Sequence, residues 1–365
     1  MFTPLPDPRP YPTDPIKNEL LLYASQIAQA TSGAQSKLAR ENLHARITEM
    51  LAQKHVLSLS VAMSMAASAD IYAVLMDSVA DVLNAKNDDE VQWFALPVII
   101  VAGSKQAAEL NTFSPCAELA ACLANYPAQR PLTHAQWLPQ LLRADDFAQI
   151  KAENWFAAKQ SFEAAEAFAA KLPTRPLHIP QDQSVHAAYA LGYGKHNIQA
   201  ALGVNLREAA LPLMQIWQQH LAQKGLTLFT NPLNPNNPIH ALADAGQMRL
   251  RMALDVFATN AIRAVRLQSP RVGVVIAAQE SSKLLFGFNA TENAYGLQNQ
   301  VFTWTLSPRD NIAMIVQNFL DLMSDCQVEH IRLLHEMLPE HTELPTYAEA
   351  QNHSGHNPLL HNSVQ

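Results

Sequence analysis

Apolar residues in the first part of the chain recur at helical spacing, with Leu38, Leu43, Ile47 and Leu51 on one side and Lys37, Arg40, Arg46 and Glu49 on the other. This period predicts amphipathic helices over 16–30 and 36–53, interrupted at Ser32-Gly33. A third helical block over 57–86 is rich in Ala, Ser and Met, side chains that let helices pack closely. After the polar turn 87–90 (NDDE), the run 91–102 (VQWFALPVIIVA) has the length and apolar continuity of a buried strand. Pro97 removes one ladder donor from it and predicts an edge position or a bulge. Ser114-Pro115 opens a helix as N-cap and first residue. The capping-box spacing from Thr133 to Gln136 predicts the start of another. Segment 146–172 predicts one long Ala-rich helix with Phe147, Ile150, Trp155, Phe162 and Phe168 as its bulk. Three prolines within 171–180 close it. Segment 185–194 (VHAAYALGYG) alternates weakly, as a strand does, and 206–224 is helical.

Toward the C-terminus the period switches repeatedly. Strand-like runs at 225–230 (GLTLFT), 271–279 (RVGVVIAAQ), 300–306 (QVFTWTL) and 328–334 (VEHIRLL) enclose helical patterns at 244–267 and 308–323. Ser307, Pro308 and Asp310 predict the cap and first turn of the second helix. The β-α-β-β-α-β order is the ferredoxin-like arrangement. The expected fold class is therefore α+β: a helix-rich N-terminal domain with a small sheet over 16–180, then a ferredoxin-like domain over 181–339. A proline-rich arm (1–15, with six prolines) and a polar tail rich in His and Asn (340–365), expected to be disordered, flank them. The boundary is expected between Pro173 and Gln183, with 184–224 able to join the first domain instead. The endings VIIVAGSK (98–105) and VVIAAQESSK (274–283) echo each other. Strand exits after Ala-rich helices look alike, so chance accounts for the echo better than duplication does.

Composition narrows the function classes. With 365 residues, 48% hydrophobic and 16% charged, the chain has material for two cores and a weakly charged surface. A net charge of −7 argues against broad nucleic-acid binding, which needs a surplus of Lys and Arg. Three cysteines cannot form a disulfide framework, and Cys116 and Cys122 lack C-x-x-C spacing. They read as small buried hydrophobes in a reducing compartment. The longest apolar run, 94–102, falls short of the ~20 residues a membrane helix needs, and the N-terminus has no signal-peptide h-region. The expected location is cytoplasmic, with no membrane association.

Candidate chemistry is sparse. Ser104 and Lys105 follow Gly103 at a strand exit, where backbone amides can hold an anion, although the P-loop pattern is incomplete. The loop 231–240 (NPLNPNNPIH) holds three prolines and four asparagines, and His240 is its titrating member. Arg249, Arg263 and Arg266 form a basic face on one predicted helix, with Asp255 among the acids that can pair with it. His341, His353, His356 and His361 sit in the polar tail without a cysteine to close a zinc site. G-x-S-x-G, H-E-x-x-H and G-x-G-x-x-G are all missing. The expectation is a non-enzymatic protein-binding or assembly protein with a protein partner or a second copy of itself, and no catalytic residue, metal or cofactor is assigned. The alternatives are a small-molecule sensor or enzyme with a site between the two domains, and RNA binding through the helix from Arg249 to Arg266.

Overall fold

The computed structural model describes residues 15–102, 108–110, 115–125, 135–173, 176–179, 185–195, 198–229, 235–279, 283–290, 300–307 and 310–334. Helices and strands both contribute, with runs of helices and runs of strands, which places the chain in the α+β class. The described residues divide into two compact units, one up to Arg249 and one from Leu250 onward.

The larger unit begins with α1 (Pro15–Ala28), α2 (Gly33–Ala52), α3 (Val56–Ser64) and α4 (Ala69–Leu83). The Ser32 hydroxyl caps α2 by accepting from the Gln35 amide, at the break the sequence marked. The predicted third block is two helices, because Ser68 caps α4 by accepting from Ile71. There follow β1 (Val91–Ala102), β2 (Ala108–Leu110), α5 (Pro115–Asn125), β3 (Gln136–Trp137), β4 (Leu142–Arg143), α6 (Ala144–Ala148), α7 (Ala152–Ala158) and α8 (Phe162–Ala169). After these come β5 (Leu177–Ile179), β6 (Val185–Lys195), α9 (Ile198–Ala222), β7 (Leu226–Phe229) and the start of α10 (Pro238–Arg266).

Two expectations fail here. The capping-box segment leads into β3, which pairs with β6, so Gln136 serves a strand; the Tyr193 hydroxyl donates to its side chain at 2.9 Å. The long helix predicted over 146–172 is three short ones. Ser161 restarts the chain as the cap of α8, and Phe147, Trp155 and Phe168 all fold onto the same ring cluster. One straight helix could not deliver those three rings to one place.

The main sheet has the order β3-β6-β1-β7, with β4 also on β6. β1 and β6 run antiparallel in register from Val91↔Lys195 to Val101↔Val185. The division between the two compact units lies between Arg249 and Leu250, inside α10. β1 is buried on both faces, which explains its unbroken apolar run. Phe94, Leu96, Val98 and Ile100 pack with α5 and α9 through Leu119, Leu213 and Trp217. On the other face Trp93 meets Trp155, Phe168 and Tyr193 at ring-centroid distances of 5.3, 5.3 and 4.8 Å. Gly192 on β6 faces Phe94 so closely that a Cβ would lie 2.5 Å from the ring and 2.7 Å from the Gln136 carbonyl, so no side chain fits.

Pro97 sits in a central strand, not at an edge. On the β7 side, Ala95 exchanges both backbone bonds with Asn236, and β7 itself pairs only with 99–102. Residues 95, 97 and 99 point their backbone groups the same way. The donor that proline lacks therefore falls in the interval between those two pairings.

The second unit holds the rest of α10, then β8 (Val272–Gln279), β9 (Lys283–Ala290), β10 (Gln300–Thr305), α11 (Ile312–Asp325) and β11 (His330–Leu334). Its sheet order is β10-β9-β8-β11, with β11 parallel to β8. Alternate residues Val272, Val274, Ile276 and Ala278 join Leu284, Phe286 and Phe288 in a core closed by Val316, Phe319, Leu320 and Met323 of α11. This arrangement departs from the expected ferredoxin-like βαββαβ unit. β7, expected as its first strand, belongs to the other sheet through β1. β8, its second strand, would pair with β10 in that unit; here it pairs with β9, a strand not predicted, and with β11.

The start of α11 also differs from expectation. Asn311 caps it by accepting from the Met314 amide, while Asp310 accepts from the Ser307 amide and the Trp304 indole. At its end Gln327 takes a left-handed conformation (φ 54°), and the Val328 amide returns to the Met323 carbonyl.

Candidate functional site

Of the residues singled out in sequence, the structure builds a polar constellation around His240. Asn237 caps α10, its Oδ1 accepting from the amides of Ile239 and His240 at 3.1 Å each. Because that oxygen is committed to the helix, the amide nitrogen is left to donate to His240 Nδ1, at 2.8 Å. The imidazole proton therefore sits on Nε2, which donates to Asp77 Oδ1 on α4 at 3.0 Å. The preceding residue, Asn236, is fixed by its bridge to Ala95 of β1. The asparagine-rich loop thus anchors three elements: the sheet, α4 and the first turn of α10.

One turn along α4, Asp81 lies 3.9 Å from Arg40 and 3.7 Å from His44 Nε2. Asp77 and Asp81 are four positions apart and share a helix face. Burial depresses the His44 pKa below 6.5, Asp81 opposes the shift, and Lys86 and Arg40 reinforce it. The native protein therefore binds fewer protons here than the unfolded chain once pH falls below about 6.5. Stability is expected to decline as pH drops from 6.5 toward the depressed native value and to level off below it. His44→Gln should flatten that part of the profile, as followed by urea unfolding across the pH series. An unchanged slope in the variant would assign the dependence elsewhere.

A second constellation lies at the start of β1. Lys159, on the turn after α7, is 3% exposed, and its Nζ donates to Glu90 at 2.8 Å and to the Asn84 carbonyl at 3.1 Å. Glu90 also accepts from the Lys86 amide at 2.7 Å. Burial pushes the Glu90 pKa up, but the Lys159 hydrogen bond, the Lys86 amide and the charges of both lysines outweigh it and hold it below 4.5.

The remaining candidates fare differently. Ser104 and Lys105 lie outside the described residues, as do the tail histidines. Arg249 falls in the larger unit, Arg263 and Arg266 in the smaller. Arg266 donates to the Cys326 and Gln327 carbonyls at 2.6 and 3.1 Å, completing the end of α11. Asp255 has its carboxyl pKa raised by burial, with Arg251 opposing. Burial also raises the Cys116 thiol to about 12, far from thiolate reactivity at neutral pH. Among the described residues no group of three or more His, Cys, Asp or Glu is placed to hold a metal ion. No described helix is long and apolar enough to cross a membrane.

Sequence reasoning found His240 and its loop but not Asn237 as the capping partner, nor Asp77, Asp81 and His44. The four-residue spacing of the two aspartates on a helix was the available signal. Lys159 and Glu90 gave none, since they are far apart in sequence.

The chain matches no protein-family model, no curated protein and no solved structure.

Proposed function

We infer that this chain is a non-enzymatic protein-binding or assembly subunit that works in the cytoplasm. The observation that carries this reading is the commitment of His240: one ring nitrogen accepts from Asn237 and the other donates to Asp77. That side chain is thereby used as a fastener between elements. Apolar groups, in contrast, are offered to solvent, among them Leu211 on α9 at 67% exposure beside a surface groove lined by Met214 and Leu228.

A small-molecule reading draws support from a cleft of about 610 Å³ among α6, α7 and α8, where Asp146, Gln149, Asn154 and Lys171 supply polar groups. The RNA reading loses Arg266, whose guanidinium is spent on backbone carbonyls.

Native mass spectrometry of the chain purified gently from its own host separates these readings. The expected result is a stoichiometric protein companion. A retained small molecule without any protein companion would overturn the assembly reading and direct attention to the α6–α8 cleft.

A further inference from the structure

Each sheet edge among the described residues is blunted, with one exception. β3 and β4 are two residues long, and β2 and β5 three. β11 carries His330 and Arg332. β7 is covered by a side chain: Gln218 of α9 donates to the Leu226 carbonyl at 3.3 Å and accepts from the Leu228 amide at 2.7 Å. Its amide thus occupies the hydrogen-bonding positions a neighbouring strand would take. These are the ways sheet proteins keep an edge from recruiting another chain.

Among the described residues β10 has none of them. It runs six residues (QVFTWT) with no charge and no proline, and among the described residues it pairs only with β9. Thr303 and Thr305 are exposed. Phe302, on the helix-covered face, is only partly buried and leans on Phe257 of α10 at 5.6 Å. An edge that is uncharged, β-branched and aromatic, with an incompletely covered ring, suits another strand of the same character.

We propose that the outer edge of β10 is a self-association site, where a second copy of this chain adds its own β10 antiparallel about a two-fold axis. A register centred on Phe302 sets Phe302 against its copy, Val301 against Thr303 and Gln300 against Trp304. Residue parity is kept, so the helix-covered faces of the two sheets stay continuous. No like charges meet, because the strand carries none. An aromatic pair and β-branched pairs directly opposite one another are favourable cross-strand combinations. A charged peptide would find no counter-charge on this strand. The proposal rests on the protein-binding reading and names one partner for it.

Sedimentation velocity of the purified full chain alone tests the proposal without a foreign partner, so loss of a host companion in the earlier experiment leaves it intact. Association is expected below about 100 μM, with Thr303→Lys weakening it at least tenfold and Thr303→Ser leaving it unchanged. Far-UV circular dichroism of both variants confirms that they fold. A monomer throughout that concentration range overturns the proposal, as does association that Thr303→Lys leaves intact.

Discussion

Replacing Trp93 by alanine is expected to cost about 3–5 kcal/mol of unfolding free energy, the range for removing a large aromatic side chain from a packed core. Trp93 is 3% exposed and touches Trp155, Phe168 and Tyr193, so its loss opens a space bordered by rigid rings. Those neighbours cannot collapse into the space easily. Phe147 stacks on Tyr189 at 4.3 Å and packs against Trp155 at 5.9 Å, while Phe162 packs against Tyr193 at 6.2 Å. The indole nitrogen also donates to the Ala158 carbonyl at 3.4 Å, which ties β1 to the end of α7. Trp93→Phe keeps part of the ring contact and should lose less. The measurement is urea unfolding of the two variants beside the parent. A loss under about 1 kcal/mol for the alanine variant would mean that the three short helices α6–α8 are not held by this cluster.

The second large effect is expected at Lys159. Lys159→Met keeps most of the stem volume but leaves the Glu90 carboxylate in a site that is only 17% exposed, without its ammonium partner. Breaking a buried pair from one side costs about 3–5 kcal/mol, and the lower end applies because Glu90 keeps some contact with water. Removing both charges with Lys159→Met and Glu90→Gln together should recover most of the loss, since the desolvation cost disappears along with the attraction. Acid titration gives an independent readout. Glu90 is held below 4.5 in the parent, so its contribution is present above that pH and is lost as pH falls through the depressed native value. In Lys159→Met the Lys159 bond and charge no longer depress the group, and this acid-induced loss should shrink. If the single and double variants were equally destabilised, the site would depend on the lysine stem and its Asn84 carbonyl contact, not on the charge pair.

These two sites show what pattern reading reaches. β1, β8 and β10 were placed closely from their apolar runs, and α2 from its period and the break before it. β9 was missed although Leu284, Phe286, Phe288 and Ala290 alternate, because Gly287 and Asn289 weaken the strand signal. The helix forecast over 146–172 failed because helical period persists across a break when each short helix turns its rings toward the same cluster. The polar sites followed the same rule. His240 stood out by its unusual loop, but its partner Asp77 lies 163 positions away, and Glu90 and Lys159 are 69 apart.

What the sequence by itself determined is therefore local: the α+β class, most elements, the break at Ser32-Gly33, and the apolar strand that needed burial on both faces. Those follow from side-chain period and backbone hydrogen bonding within a few residues. Only the tertiary structure decided that β7 would join β1 and not the C-terminal sheet, that Pro97 would fall in an interval of the ladder, and that His240 would be bound on both ring nitrogens. Each depends on which distant segments meet, and a nearly uniform supply of apolar strands and Ala-rich helices permits several pairings of similar local energy. The choice among them is made by packing and by satisfying buried polar groups over the whole unit, quantities that no short window of the chain contains.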